Sequence, residues 1–176
     1  WDYEMEVEPT DSRQLVSLDL PLEQPRGTYL NPDHALQTFR PLTAISRWRL
    51  QSAPPARYEA DLSPAARRYA LRLPDGFNPR TVALAHRWRA EAGVGNDAAV
   101  VDRALAWIQR EFAYTLETPL LGRNTVDEFL FDQKAGFCEH FSSSFVVLMR
   151  AAGIPARVVT GYTGGYRNPL GDYWLV

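Results

Sequence analysis

The chain begins with a period of two. Tyr3, Met5 and Val7 alternate with Asp2, Glu4, Glu6 and Glu8, which predicts a strand with one wet face. Pro9 to Ser12 supply turn residues, and Val16, Leu18 and Leu20 resume the alternation, so the two segments are expected to pair as an antiparallel hairpin. Pro21 to Pro25 reads as a loop, and Gly27 to Arg40 as irregular chain or edge strand, with His34 on a surface loop. Leu42, Ala44, Ser46, Trp48 and Leu50 then alternate with Thr43, Ile45, Arg47 and Arg49, the clearest strand of the first third. Ser52 to Ala56 break it, and a short strand is expected over 57–61. The acidic row of Glu4, Glu6 and Glu8 and the arginines Arg47 and Arg49 are expected to be solvated sheet faces.

From Ser63 the period lengthens. Ser63-Pro64 and Asn78-Pro79 each place a capping residue before a proline at the first helical position, and Gly93 ends the second helix. His86 lies on that helix among arginines, as an exposed structural residue. Asn96-Asp97 opens a third helix, with Val101, Leu105, Ile108 and Phe112 as its expected apolar stripe. An extended segment follows to Leu116. Thr125 to Glu128 has the form of a capping box, and Phe129, Leu130 and Phe131 are expected to anchor a short helix in the core. A last helix is expected from Cys138 to Ala152, with Phe141, Phe145, Leu148, Met149 and Ala152 on one face and Gly153 and Pro155 at its end. A strand over 157–162, a loop through Gly164-Gly165 and residues 168–171, and a final strand complete the chain. Helices segregated from strands imply an α+β fold. The expected organisation is a β-rich N-terminal module over 1–62 and a core over 63–176.

Composition narrows the function. Hydrophobic residues make up 45% and charged residues 23% of 176, with a net charge of −2. That balance gives no electrostatic case for nucleic acid or a membrane surface. No run of about 18 apolar residues is present, so no transmembrane helix is expected. One cysteine and three scattered histidines form neither an intrachain disulfide nor a zinc site. No metal or cofactor is expected.

The one cysteine is the candidate for chemistry. Gly136 lets the chain turn sharply, which puts Cys138 in or just before the first turn of its helix. Backbone N–H groups at a helix N-terminus lack partners and carry partial positive charge. Such an end favours a thiolate and can donate to an oxyanion. The residues themselves equally allow a small buried apolar cysteine that happens to begin a helix. His140 and Glu139 are neighbours, but residues two apart on a helix do not face each other, so His140 is not expected to be the base. The Gln133 amide could assist an oxyanion, and Tyr162 and Tyr166 could line a cleft.

Residues 134–145 (KAGFCEHFSSSF) and 148–162 (LMRAAGIPARVVTGY) resemble the core motif of the bacterial transglutaminase-like superfamily, relatives of papain-type cysteine enzymes. The likeness extends over Val126 to Val176, and more loosely over Asn78 to Tyr114. Among members it is similar to the periplasmic domains of membrane-embedded bacterial proteins. Ser142-Ser143 stand where relatives tend to carry alanine. The resemblance implies a papain-like transglutaminase core, a nucleophile helix packed on antiparallel strands. It implies protein-glutamine gamma-glutamyltransferase activity with Cys138 as nucleophile, acting on glutamine and lysine side chains of proteins or peptides. The alternatives are a papain-like cysteine hydrolase acting on peptide or cell-wall crosslinks, and a noncatalytic binding domain. The family's histidine and aspartate lie on strands after the motif helix. Both are therefore expected beyond Val176, the core being truncated at its C-terminal strands and these 176 residues alone being inactive. A location on the periplasmic side of the bacterial inner membrane is implied in the same way.

Overall fold

A computed structural model describes residues 1–31, 35–54, 62–162 and 164–176. His34 and the strand expected over 57–61 lie outside these. Contacts divide the chain into two units: Trp1–Ala60 with Gly161–Val176, and Asp61–Thr160.

The first unit is built from strands. β1 (Asp2–Val7), β6 (Ser46–Ala53) and β3 (Leu20–Pro21) form one antiparallel sheet with β6 in the centre. β2 (Gln14–Leu15), β5 (Leu36–Thr38) and β4 (Thr28–Leu30) form a second. Leu15, Leu36, Leu42 and Leu50 are the buried core, flanked by Tyr3, Met5, Val7, Leu30 and Trp48. The apolar positions of the first strand therefore face inward, as its alternation predicts. The expected hairpin is not formed. β1 pairs with β6 instead, and the second segment is divided between the two sheets by a left-handed Asp19 (φ 44°). Charge favours this register. Glu6 and Glu4 stand directly opposite Arg47 and Arg49, and their carboxylates accept from the guanidinium Nε groups at 2.8 and 3.4 Å. Opposite charges facing across a ladder stabilise it, and the second segment offers no such row. The arginines thus answer the acidic row on a central strand rather than an edge. β9 (Tyr166–Arg167) and β10 (Trp174–Leu175) form a separate hairpin. The strand expected over 157–162 is absent: a strand needs a neighbouring strand, no ladder among the described residues includes this stretch, and Val159 is 83% exposed.

The second unit is mostly helical, with α1 (Pro64–Leu71), α2 (Pro79–Ala92), α3 (Asp97–Glu111), α4 (Thr125–Asp127) and α5 (Cys138–Ala151). α4 continues into a π-helical turn over Glu128–Gln133, which Lys134 N–H closes on the Phe129 carbonyl at 2.9 Å. Leu84, Ala85, Trp88, Val100, Ala104, Leu148, Met149 and Ala152 form a core shared by α2, α3 and α5. α5 therefore packs chiefly on helices, and its strand contact is with β8 (Ala135–Gly136), half of a short parallel pair with β7 (Ala113–Tyr114). α3 is turned by one residue from its expected stripe. Val100 and Ala104 are buried while Leu105 is 43% exposed. The small Ala104 side chain lets the helix approach closely, and Trp107 packs edge-on against Trp88 and Phe112 at centroid distances of 5.6 and 5.1 Å.

Two helix starts cap each other. Asn78 is left-handed (φ 50°) and does not cap its own helix α2; its Oδ1 accepts from Val126 and Asp127 N–H at 3.1 and 3.3 Å, at the start of α4. Asp127, 3% exposed, returns the favour: Oδ1 accepts from Thr81 N–H and Oγ1 at 2.7 and 2.6 Å, and Oδ2 from Arg80 N–H at 2.9 Å. The expected capping box is replaced by this exchange, and Glu128 turns away to accept from Gly122 N–H at 2.7 Å. Asp127→Ala would leave buried donors of α2 without an acceptor. It is expected to lower the unfolding free energy by about 3 kcal/mol, read from urea denaturation; a loss below about 1 kcal/mol would contradict this account.

Candidate active site

Cys138 is the first residue of α5, and its thiol is free and exposed. The segment before it is fixed from both sides. Ala113 N–H donates to the Lys134 carbonyl at 2.9 Å and Thr115 N–H to the Gly136 carbonyl at 2.8 Å, so β7 holds the approach to the thiol. Lys134 is left-handed (φ 51°), and its ammonium meets Glu111 Oε2 at 2.6 Å at the end of α3. Gly136 is wedged: a Cβ there would lie 2.9 Å from Phe129 Cε2 and 3.0 Å from His140 Cβ and Cγ. Glycine is thus required here by space rather than by the expected sharp turn: Gly136 lies in the extended β8, and the left-handed residue is Lys134.

The N-terminus of α5 differs from the others. Ser63 and Asn96 cap α1 and α3 with their own side chains, and α2 and α4 are capped by Asp127 and Asn78. Phe137 occupies the capping position of α5, and its side chain has no group to donate or accept. Among the described residues no side chain bonds the first N–H groups of α5, so they remain open beside the sulfur. Apolar residues are the poorest N-caps, so the sequence carried this signal in Phe137.

His140 packs edge-on against Phe137 at 4.4 Å and beside Phe129 at 5.6 Å, and its Nδ1 is buried without a partner. It serves as packing behind the turn, as its two-residue spacing from Cys138 predicts. His86 is exposed on α2, and Gln133 is exposed at the end of the π-helical turn. Glu139 is also exposed, and its carbonyl accepts from Ser143 Oγ at 2.6 Å. Tyr162 and Tyr166 are exposed in the unit formed by Trp1–Ala60 and Gly161–Val176. Beneath the turn lies an aromatic cluster of Phe112, Phe129 and Phe141, whose centroids are 5.1 to 6.2 Å apart. Phe141 also stacks on the exposed Tyr114. Among the described residues no group of histidine, cysteine and carboxylate side chains is arranged to hold a metal, and no helix is long and apolar enough to cross a membrane.

The chain belongs to the transglutaminase-like superfamily, whose sequence pattern residues 85–174 match. The particular likeness is to TgpA of Pseudomonas aeruginosa. The crystal structure of its periplasmic domain superposes with a TM-score of 0.91 at 39% identity, covering 98% of this chain and 60% of that one. A second structure of that domain, bound to ethylmercury, gives 0.90 and 38%. In sequence, the chain is 39% identical over 174 residues to a protein-glutamine gamma-glutamyltransferase of P. aeruginosa PAO1. It is 48% identical over 64 residues to the uncharacterized protein YebA of Bacillus subtilis, 35% of this chain and 9% of that one. The chain spans only 26% of the gamma-glutamyltransferase. The α+β architecture is thus the one expected from the resemblance.

Two measurements test the architecture around Cys138. Gly136→Ala is expected to cost about 2 kcal/mol through overpacking against Phe129 and His140, seen as a lower urea midpoint. Lys134, with Arg110 and Trp107, holds the Glu111 carboxyl at about 2, below its ordinary 4.5. A depressed folded value means this contribution is fully present above pH 4.5 and is lost as pH falls towards 2. Following the Glu111 carboxyl by NMR, Lys134→Met should move its titration up towards the ordinary range; an unmoved midpoint would exclude Lys134 as the leading cause.

Proposed function

We propose that this chain is part of a protein-glutamine gamma-glutamyltransferase in which Cys138 is the nucleophile. One observation carries the reading: the single thiol is exposed at the one described helix start that no side chain caps. Open N–H groups favour negative charge on the sulfur and supply donors for an oxyanion. The turn that presents the thiol is locked by β7 and by the Gly136 wedge, so the sulfur is positioned before substrate arrives.

The reaction would run in two steps. The Cys138 thiolate attacks the carbon of a glutamine carboxamide. The C–N bond breaks, ammonia leaves with a proton from the general acid, and a thioester remains. A lysine amine then attacks the thioester carbon and gives its proton to the base. The C–S bond breaks, an isopeptide forms and the thiolate is restored. Water in place of the amine gives deamidation.

The thiolate needs an imidazole; of the described histidines, His140 packs behind the turn against Phe129 and Phe137, and His86 is exposed on α2. We infer that the family's histidine and aspartate are supplied by sequence C-terminal to Val176, consistent with the fraction of its relatives that this chain spans. These 176 residues alone are then inactive. Substrates would be proteins or peptides bearing glutamine and lysine, with the domain on the periplasmic side of an anchored parent protein.

The test uses the full-length protein with a glutamine peptide and a labelled primary amine. Incorporation that falls at least about a thousandfold in Cys138→Ala is expected. Peptide cleavage, or incorporation that survives the substitution, would overturn the assignment. One equivalent of ethylmercury, a thiol-directed reagent, should abolish turnover by occupying Cys138.

A further inference from the structure

We propose that Tyr114 contacts the acyl donor, its ring forming the surface on which the peptide flanking the reactive glutamine lies. The proposal rests on the transglutaminase reading. Three observations place the residue. β7 and β8 pair in parallel with Tyr114 directly opposite Gly136, two residues before the nucleophile, and paired strands run about 5 Å apart. The ring stacks on Phe141 at 6.2 Å with 10° between planes. Phe141 follows Cys138 by three positions on α5 and so shares its side of the helix.

Tyr114 is nonetheless 66% exposed, and no hydrogen bond to its hydroxyl is formed among the described residues. An aromatic ring that only completed a core would bury its face. Here Phe112, Phe129 and Phe141 already close the cluster beneath, and Tyr114 lies outside it with one face bound and the other open. The backbone ladder and the stack fix the ring before any ligand binds, so a peptide meeting it loses only its own freedom. An open aromatic face takes apolar side chains, and the hydroxyl can bond a peptide carbonyl or N–H. The occupant is the donor because the surface is tied to the turn that forms the thioester. Peptides with an apolar residue beside the glutamine should therefore be preferred.

The experiment compares wild type, Tyr114→Ala and Tyr114→Phe in the full-length protein. Tyr114→Ala should raise the donor KM about five- to tenfold for a peptide with phenylalanine beside glutamine. The amine KM, the melting temperature and the rate of Cys138 alkylation by iodoacetamide should stay within about twofold or 2 °C of wild type. Tyr114→Phe should keep most donor affinity. An unchanged donor KM, or donor and amine KM rising together with faster or slower alkylation, would overturn the proposal. Should wild type show no Cys138-dependent incorporation, the transglutaminase reading fails on its own, and protection of Cys138 from iodoacetamide by the glutamine peptide decides this one. Protection lost in Tyr114→Ala supports it. Equal protection, or none, refutes it.

Discussion

The second unit depends on the buried carboxylate of Asp127. It accepts three hydrogen bonds from the start of α2 while Asn78, just before that helix, caps the start of α4. A buried carboxylate without partners would be strongly destabilising, so its position dictates where α2 and α4 meet. The π-helical turn follows directly from α4, and the turn carrying Cys138 follows from that. The two caps therefore set the starting point of the chain segment that delivers the thiol. The extra residue in the π-helical turn and the left-handed Lys134 then redirect the chain onto β7.

The helix ends show a division of labour. Where an end serves only the fold, a side chain satisfies its N–H groups, whether from the preceding residue or from another helix. At α5 the favourable cap is forgone, a loss of about 1 kcal/mol. Packing offsets it: Leu148 and Met149 are fully buried, and Arg89 secures the far end by donating from Nε to the Ala152 carbonyl at 2.9 Å. The open N-terminus is thus maintained by interactions far from it, which offset the local cost.

Much of this was legible in the residues. The helix starts at Ser63, Asn78 and Asn96, the stop at Gly153 and the inward face of β1 all follow from local pattern, whereas the residues alone left Cys138 open between an exposed and a buried thiol. What local pattern could not supply was partnership. β1 and the second segment look like a hairpin because they are adjacent, yet the charges of Arg47 and Arg49 draw β1 to a strand 40 residues away. The Thr125 to Glu128 box satisfies its local template, but Asn78 arrives from 48 residues upstream and takes its place. The α3 stripe was misplaced because Ala104 counts little on a hydropathy scale and much in close packing. Asp127, Glu111 and Tyr114 were not singled out by any local pattern; each is held through a partner distant in sequence.

The same distinction explains why His140 is a poor candidate for a base to Cys138 although the two are neighbours in sequence. On a helix, two residues is the spacing of opposite faces, and the structure uses that spacing to separate roles. Cys138 projects outward, while His140 points back into Phe129 and Phe137, where its bulk leaves no room for a Cβ on Gly136. An imidazole able to take the thiol proton must approach from the sulfur's own side, which no histidine on α5 can do. On the proposed reading of Cys138 as nucleophile, the need for a base on a separate element is thus a consequence of helical geometry.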